Sequence, residues 1–96
     1  MHEEENTYRN FLRDYIYFLI ENALEAKAEY NKERKVKNKP FYEGQLLSFY
    51  RALSILQRKA QAFGISLEEV GLDKINTDKE LRTEKGWKVD LESDFD

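Results

Sequence analysis

The sequence predicts an all-α protein in which two long helices form an antiparallel hairpin. Residues 7–34 contain neither proline nor glycine and are rich in strong helix formers. Residues 42–63 carry apolar side chains at alternating spacings of four and three, the pattern of helices that pack side by side. The single proline, Pro40, lies between the two stretches, where it ends one helix and suits the first turn of the next.

The first helix is predicted to run from about Thr7 to about Arg34, with Asn6 or Thr7 as its N-cap. Residues spaced by four and three place one of its faces against the second helix. Asn22 is the polar member of this seam, and we predict that it is buried and sets the register of packing. The seam, which Phe11 and Phe18 flank, consists of Tyr8, Leu12, Tyr15, Leu19, Asn22 and Ala26.

The second helix is predicted to run from about Pro40 to Phe63. Its apolar seam keeps the four-three alternation over three heptads, which is typical of coiled-coil packing. Gly64 follows directly, at the position where a left-handed C-terminal cap is favoured. A short connection between two long helices brings them back antiparallel. The seam consists of Tyr42, Leu46, Phe49, Leu53, Leu56, Ala60 and Phe63.

A short third helix is predicted after the hairpin. Ser66 is followed three residues later by Glu69, which is the spacing of a capping box. Gly71 then ends the helix early, because glycine readily adopts the backbone conformation that closes a helix.

The remainder of the chain is predicted to be a polar, partly extended tail. Trp87, Val89 and Leu91 alternate with charged residues, a period of two that is typical of an extended segment. The sequence therefore divides into a helical hairpin domain, residues 1–72, and a polar C-terminal tail, residues 73–96.

The first helix has more apolar surface than one neighbouring helix can cover. Tyr17, Ile20 and Leu24 lie on nearly the opposite side from its seam. A second copy of the chain, the Trp87–Leu91 segment folded back, or a different protein can cover that side. Symmetric dimers are the commonest oligomers, so the predicted assembly is a homodimeric four-helix bundle, with tail docking in a monomer as the alternative.

A protein-binding surface is predicted on the outward faces of both long helices. The outward face of the second helix mixes arginine with aliphatic side chains, which is typical of protein interfaces. Together with the back of the first helix, this face gives a predicted interface of Tyr17, Ile20, Leu24, Leu47, Arg51, Ile55 and Arg58.

The composition favours binding over catalysis. The chain has no cysteine and one histidine, His2, at a terminus that is expected to fray. Its glycines are scattered singly, so no phosphate-binding loop is predicted. We expect no enzyme activity, no metal and no cofactor. The predicted function is that of a small non-enzymatic protein-binding or regulatory module that acts through apolar helix surfaces.

An alternative function is that of a nucleic-acid-associated regulator that uses a basic turn. The basic turn, residues 32–39, contains Lys32, Arg34, Lys35, Lys37 and Lys39. This cluster of cations can contact phosphates, although the net charge of −3 argues against strong non-specific binding.

No apolar run is long enough to span a membrane, and we expect a cytoplasmic protein without membrane contact.

Overall fold

The computed structural model describes residues 2–83, with side chains described from Asn6 onward. This part of the chain is all-α and contains no strand, which confirms the prediction of an all-α protein. The extended segment predicted at Trp87–Leu91 lies outside the described residues. The helices are α1 (His2–Lys32), α2 (Lys39–Ala62), α3 (Leu67–Val70) and α4 (Thr77–Glu80), with 3₁₀ turns at Val36–Asn38 and Leu72–Lys74.

The two long helices pack against each other and share one core. At one end of the pair, the Lys39 ammonium at the start of α2 donates to the backbone carbonyl of Tyr30 near the end of α1, at 2.9 Å. At the other end, Leu12 of α1 and Leu56 of α2 line the same small cavity of about 210 Å³. The first half of α1 therefore lies beside the second half of α2.

The buried face of α1 differs from the predicted seam. Tyr8, Tyr15 and Asn22 are exposed, so the prediction that Asn22 lies in the core of the helix pair is wrong. The physical reason is that α1 contacts α3 as well as α2, and its buried face is centred between these two neighbours. The residues that α1 contributes to the core are Ile16, Ile20, Ala23, Ala26 and Tyr30.

The seam of α2 agrees with the prediction over most of its length. Leu46, Leu53 and Ala60 are buried, and the other seam residues within the helix are half-buried. Phe63, which follows the helix, is exposed. Tyr50 is buried although it lies outside the predicted seam, because it faces the C-terminal part of the described chain.

The predicted third helix is confirmed, including both of its boundaries. The Ser66 hydroxyl accepts from the Glu69 backbone N–H at 3.3 Å and so satisfies one of the free donors of the first turn. Gly71 ends the helix with φ at 81°, a left-handed conformation that glycine adopts without steric cost.

The helical unit extends beyond the predicted boundary at residue 72. Residues 73–83 pack on α2 and bury Ile75 and Leu81, so the part of the predicted tail up to residue 83 is neither extended nor separate. The Ser54 hydroxyl of α2 donates to the Thr77 hydroxyl at 3.0 Å. The Gln57 side-chain amide donates to two backbone carbonyls of this segment, one of which belongs to Ile75.

Candidate interaction surface

Four aromatic side chains form an exposed row along α1. Tyr8, Phe11, Tyr15 and Phe18 are 73%, 72%, 55% and 60% exposed. Their spacings of three, four and three keep them within an arc of about 80° around the helix. We call these four residues the aromatic face. Their alternating spacing is the seam pattern of a coiled coil, and no described residue covers the row.

Asn22 is the next residue of the same row after Phe18. It is exposed, and its side-chain amide donates to the Phe18 backbone carbonyl at 2.9 Å. This local hydrogen bond within one helix turn leaves Asn22 at the end of the aromatic face and outside the core of the helix pair.

Residues 65–83 cover the side of the helix pair that lies opposite the aromatic face. Lys27 of α1 donates to the Arg82 backbone carbonyl, so this part of α1 faces the C-terminal segment. Phe18 lies nine residues before Lys27, which places the two about 180° apart around the helix. The C-terminal segment therefore leaves the aromatic face open.

The open side continues onto α2. Phe49 is half-buried. It directly precedes Tyr50, which bonds to the C-terminal segment, so it points about 100° away from that segment. Leu56 and Phe63 follow at spacings of seven, but they line the small cavity of about 210 Å³ together with Val70 of the C-terminal segment and do not belong to the open side.

A second exposed stripe follows the back of α1. Tyr17 and Leu24 are 60% and 39% exposed and lie two turns apart on the same side of the helix. We call this pair the back stripe. Ile20, predicted to belong to the same interface, is buried in the core, so that part of the prediction is wrong. The cause is again the contact with a second neighbour, which draws this side of α1 inward.

The α2 part of the predicted interface borders a polar groove. Leu47 and Arg51 are half-buried, whereas Ile55 and Arg58 are exposed. The last three line an open groove of about 860 Å³ between α2 and residues 72–80. The facing wall contributes carboxylates, so the groove has mixed charge: Asp73, Asp78 and Glu80.

Tyr50 closes this groove against the core. Its hydroxyl donates to the Asp78 carboxylate at 2.5 Å, and Asp78 lies 3.6 Å from the Arg82 guanidinium. Burial, reinforced by the hydrogen bond to Asp78, raises the pKa of the Tyr50 phenol. The contact attaches α4 to α2, and the sequence offered no signal for it because the two residues are distant along the chain.

The basic turn is partly used within the fold. The Lys39 ammonium lies 3.9 Å from the centroid of the Tyr30 ring, in addition to its bond to the Tyr30 carbonyl. The Lys35 backbone N–H and the Asn38 amide donate to the Glu33 carboxylate, and these bonds lower the pKa of Glu33. The basic residues of this turn that are exposed are Lys32, Arg34, Lys35 and Lys37. Nucleic-acid binding by these residues stays a prediction.

Neither long helix, as far as the structure describes it, is apolar enough along its length to cross a bilayer. The helix that carries the aromatic face also carries charged side chains, of which Asp14 and Glu25 lie close to the row. Comparisons of the chain with known protein families, with curated proteins and with solved structures found no match.

Proposed function

We propose that this protein is a small non-enzymatic protein-binding module that acts as a homodimer. Each chain is a helical hairpin, and the aromatic faces of two copies pack together as a four-helix bundle. The observation that supports this function is the row of four large rings with coiled-coil spacing, each more than half exposed.

The size of the aromatic face supports an interface. A buried aromatic side chain removes about 150–250 Å² from water, so the exposed parts of four rings amount to roughly 500 Å² per copy. A stable interface needs about 800 Å² from each partner. The half-buried ring of Phe49 in α2 supplies further apolar area.

The spacing of the row favours a second copy as the occupant. A three-four row packs best against another helix with the same spacing, and a twofold axis supplies such a helix from an identical chain. Asn22 then lies at a seam position between the two copies, where a polar residue specifies register at some cost in stability.

Light scattering on variants tests this proposal. We expect wild-type chain at micromolar concentration to have about twice the chain mass of 11.5 kDa. The double variant Phe11→Glu with Phe18→Glu is expected to have the mass of one chain, because each interface would then bury carboxylates without partners. Both positions are exposed, so the helix content seen by circular dichroism is expected to stay unchanged.

Val36→Glu is the matched control. Val36 is 83% exposed and lies in the turn between the long helices, away from the aromatic face, so this variant is expected to remain a dimer. A wild-type chain that stays a monomer up to millimolar concentration, or a double variant that keeps the dimer mass, would refute the proposal.

A further inference from the structure

The end of the described chain determines where the last thirteen residues of the sequence begin. Leu81 and Thr83 are buried, and the carbonyl of Arg82 accepts from Lys27 of α1. Leu24 lies three residues before Lys27, on the same side of the helix. The chain therefore leaves the fold next to Leu24 of the back stripe. The other member of the stripe, Tyr17, lies nearer to the aromatic face, and its ring makes an edge contact with the ring of Phe18.

We propose that residues 84–96 bind along the back stripe of their own chain, with Trp87 against Tyr17 and Leu24. The distances agree with this path. Tyr17 lies ten residues before Lys27, which is about 15 Å along a helix. Trp87 follows Arg82 by five residues, which span about 17 Å when extended.

The order of charges along α1 and along residues 84–96 agrees with binding of these residues along the back stripe. Arg13 and Arg9 are exposed and lie one and two turns beyond Tyr17, in the direction that the chain would follow. The last seven residues of the sequence contain no basic side chain and would run beside these two arginines. Their carboxylates belong to Asp90, Glu92, Asp94 and Asp96.

Near Trp87 the signs are reversed: the C-terminal segment is basic and the adjacent part of α1 is acidic. Lys85 and Lys88 flank Trp87 in the sequence, and Glu21 is exposed one turn after Tyr17 on the border of the back stripe. Asp14 lies one turn before both Tyr17 and Phe18 and so borders both exposed surfaces of α1. The attraction between the acidic segment and the two arginines beyond Tyr17 is therefore what favours the back stripe as its path.

The fluorescence of Trp87, the single tryptophan, reports directly on this contact. In the full chain we expect a blue-shifted emission and lower quenching by acrylamide than in a synthetic peptide of residues 84–96. The double variant Tyr17→Ser with Leu24→Ser is expected to shift the emission to the red and to raise the quenching to the level of the peptide. The double variant Arg9→Glu with Arg13→Glu is also expected to shift the Trp87 emission to the red and to raise its quenching by acrylamide.

Phe11→Ser on the aromatic face is the control and is expected to leave the emission of Trp87 unchanged. Trp87 that is quenched in the wild-type chain as fully as in the peptide would overturn the proposal. A response to Phe11→Ser without a response to the back-stripe variant would also overturn it, as would protection that grows with protein concentration. The readout does not require the dimer, so the two proposals succeed or fail separately.

Discussion

At the scale of single residues, two tyrosines connect distant parts of the chain. Tyr30 provides its carbonyl and its ring to Lys39, which holds the start of α2 against the end of α1. Tyr50 donates to Asp78 and so attaches the C-terminal segment to the middle of α2. Both tyrosines bury a large ring, and in Tyr50 the hydroxyl has a hydrogen-bond partner as well.

The first prediction concerns the Tyr50 hydroxyl. Tyr50→Phe keeps the ring but removes the donor to Asp78, and we expect the free energy of unfolding in urea to fall by about 1 kcal/mol. Tyr42→Phe in the same helix is the control, since Tyr42 is only half-buried, and it is expected to change stability less. Equal effects at the two positions would argue against the contact with Asp78.

The second prediction concerns alkaline pH. Burial and the bond to Asp78 raise the pKa of Tyr50 above its value in the unfolded chain, so the folded state favours the protonated phenol. The contribution of the protonated Tyr50 phenol to the free energy of unfolding is fully present below the ordinary tyrosine pKa of about 10. It is lost as the pH rises through the higher pKa of the folded state. The urea midpoint of the wild-type chain is expected to fall more steeply above about pH 9 than that of Tyr50→Phe. Parallel pH profiles would contradict the prediction.

At the scale of elements, the orientation of α1 decides which surfaces are exposed. Its buried face is rotated by about 60° from the predicted seam, towards Ile16 and Ile20. Both faces show helical spacing in the sequence, and Ala23 belongs to the face that is buried. Small and aliphatic side chains permit close contact with two neighbouring elements, and the large rings of the aromatic face are left outside.

The third prediction compares two glycines that differ in backbone conformation. A Cβ atom added at either Gly71 or Gly44 meets no atom within 4 Å, so steric contact does not separate the two sites. Gly71 has φ at 81°, and we expect Gly71→Ala to destabilise the fold by about 1 kcal/mol. Gly44 is helical and exposed, and we expect Gly44→Ala to stabilise it by up to about 1 kcal/mol. Thermal unfolding measures both, and shifts of the same sign would be inconsistent with this assignment of conformations.

At the scale of the whole molecule, residues 65–83 complete the core that two helices alone cannot enclose. Val70, Leu72, Ile75 and Leu81 are buried in the same cluster as the residues of the long helices. The segment covers one side of the helix pair and leaves the other side, with the aromatic face, exposed. The fold is therefore closed on one side and open on the opposite one.

The fourth prediction tests the role of this segment by truncation. A chain that ends at Leu72 loses the buried side chains of Ile75 and Leu81, and we expect its free energy of unfolding to fall by about 3–6 kcal/mol. A chain that ends at Thr83 keeps both and is expected to unfold cooperatively in urea. A Leu72-terminated chain as stable as the Thr83-terminated one would show that the helical domain ends where the composition suggested.

Much of the fold is predictable from local patterns. The long helices, the break at Pro40, the cap at Ser66 and the end at Gly71 each depend on residues close together in the sequence. Residues 73–83 contain only two large apolar side chains, Ile75 and Leu81, among polar and charged ones, so their composition predicts a polar tail. Their burial depends on partners in α2 that no local pattern reveals.

The sequence by itself determined that the chain is helical and that α1 carries more apolar surface than one neighbour covers. Only the tertiary structure decided which part of that surface is exposed. Helical periodicity states which residues share a face, whereas the choice between faces depends on every element that packs against the helix. Here the second neighbour of α1 is the segment of residues 65–83, and in the resulting fold Ile20 is buried whereas the aromatic face is open.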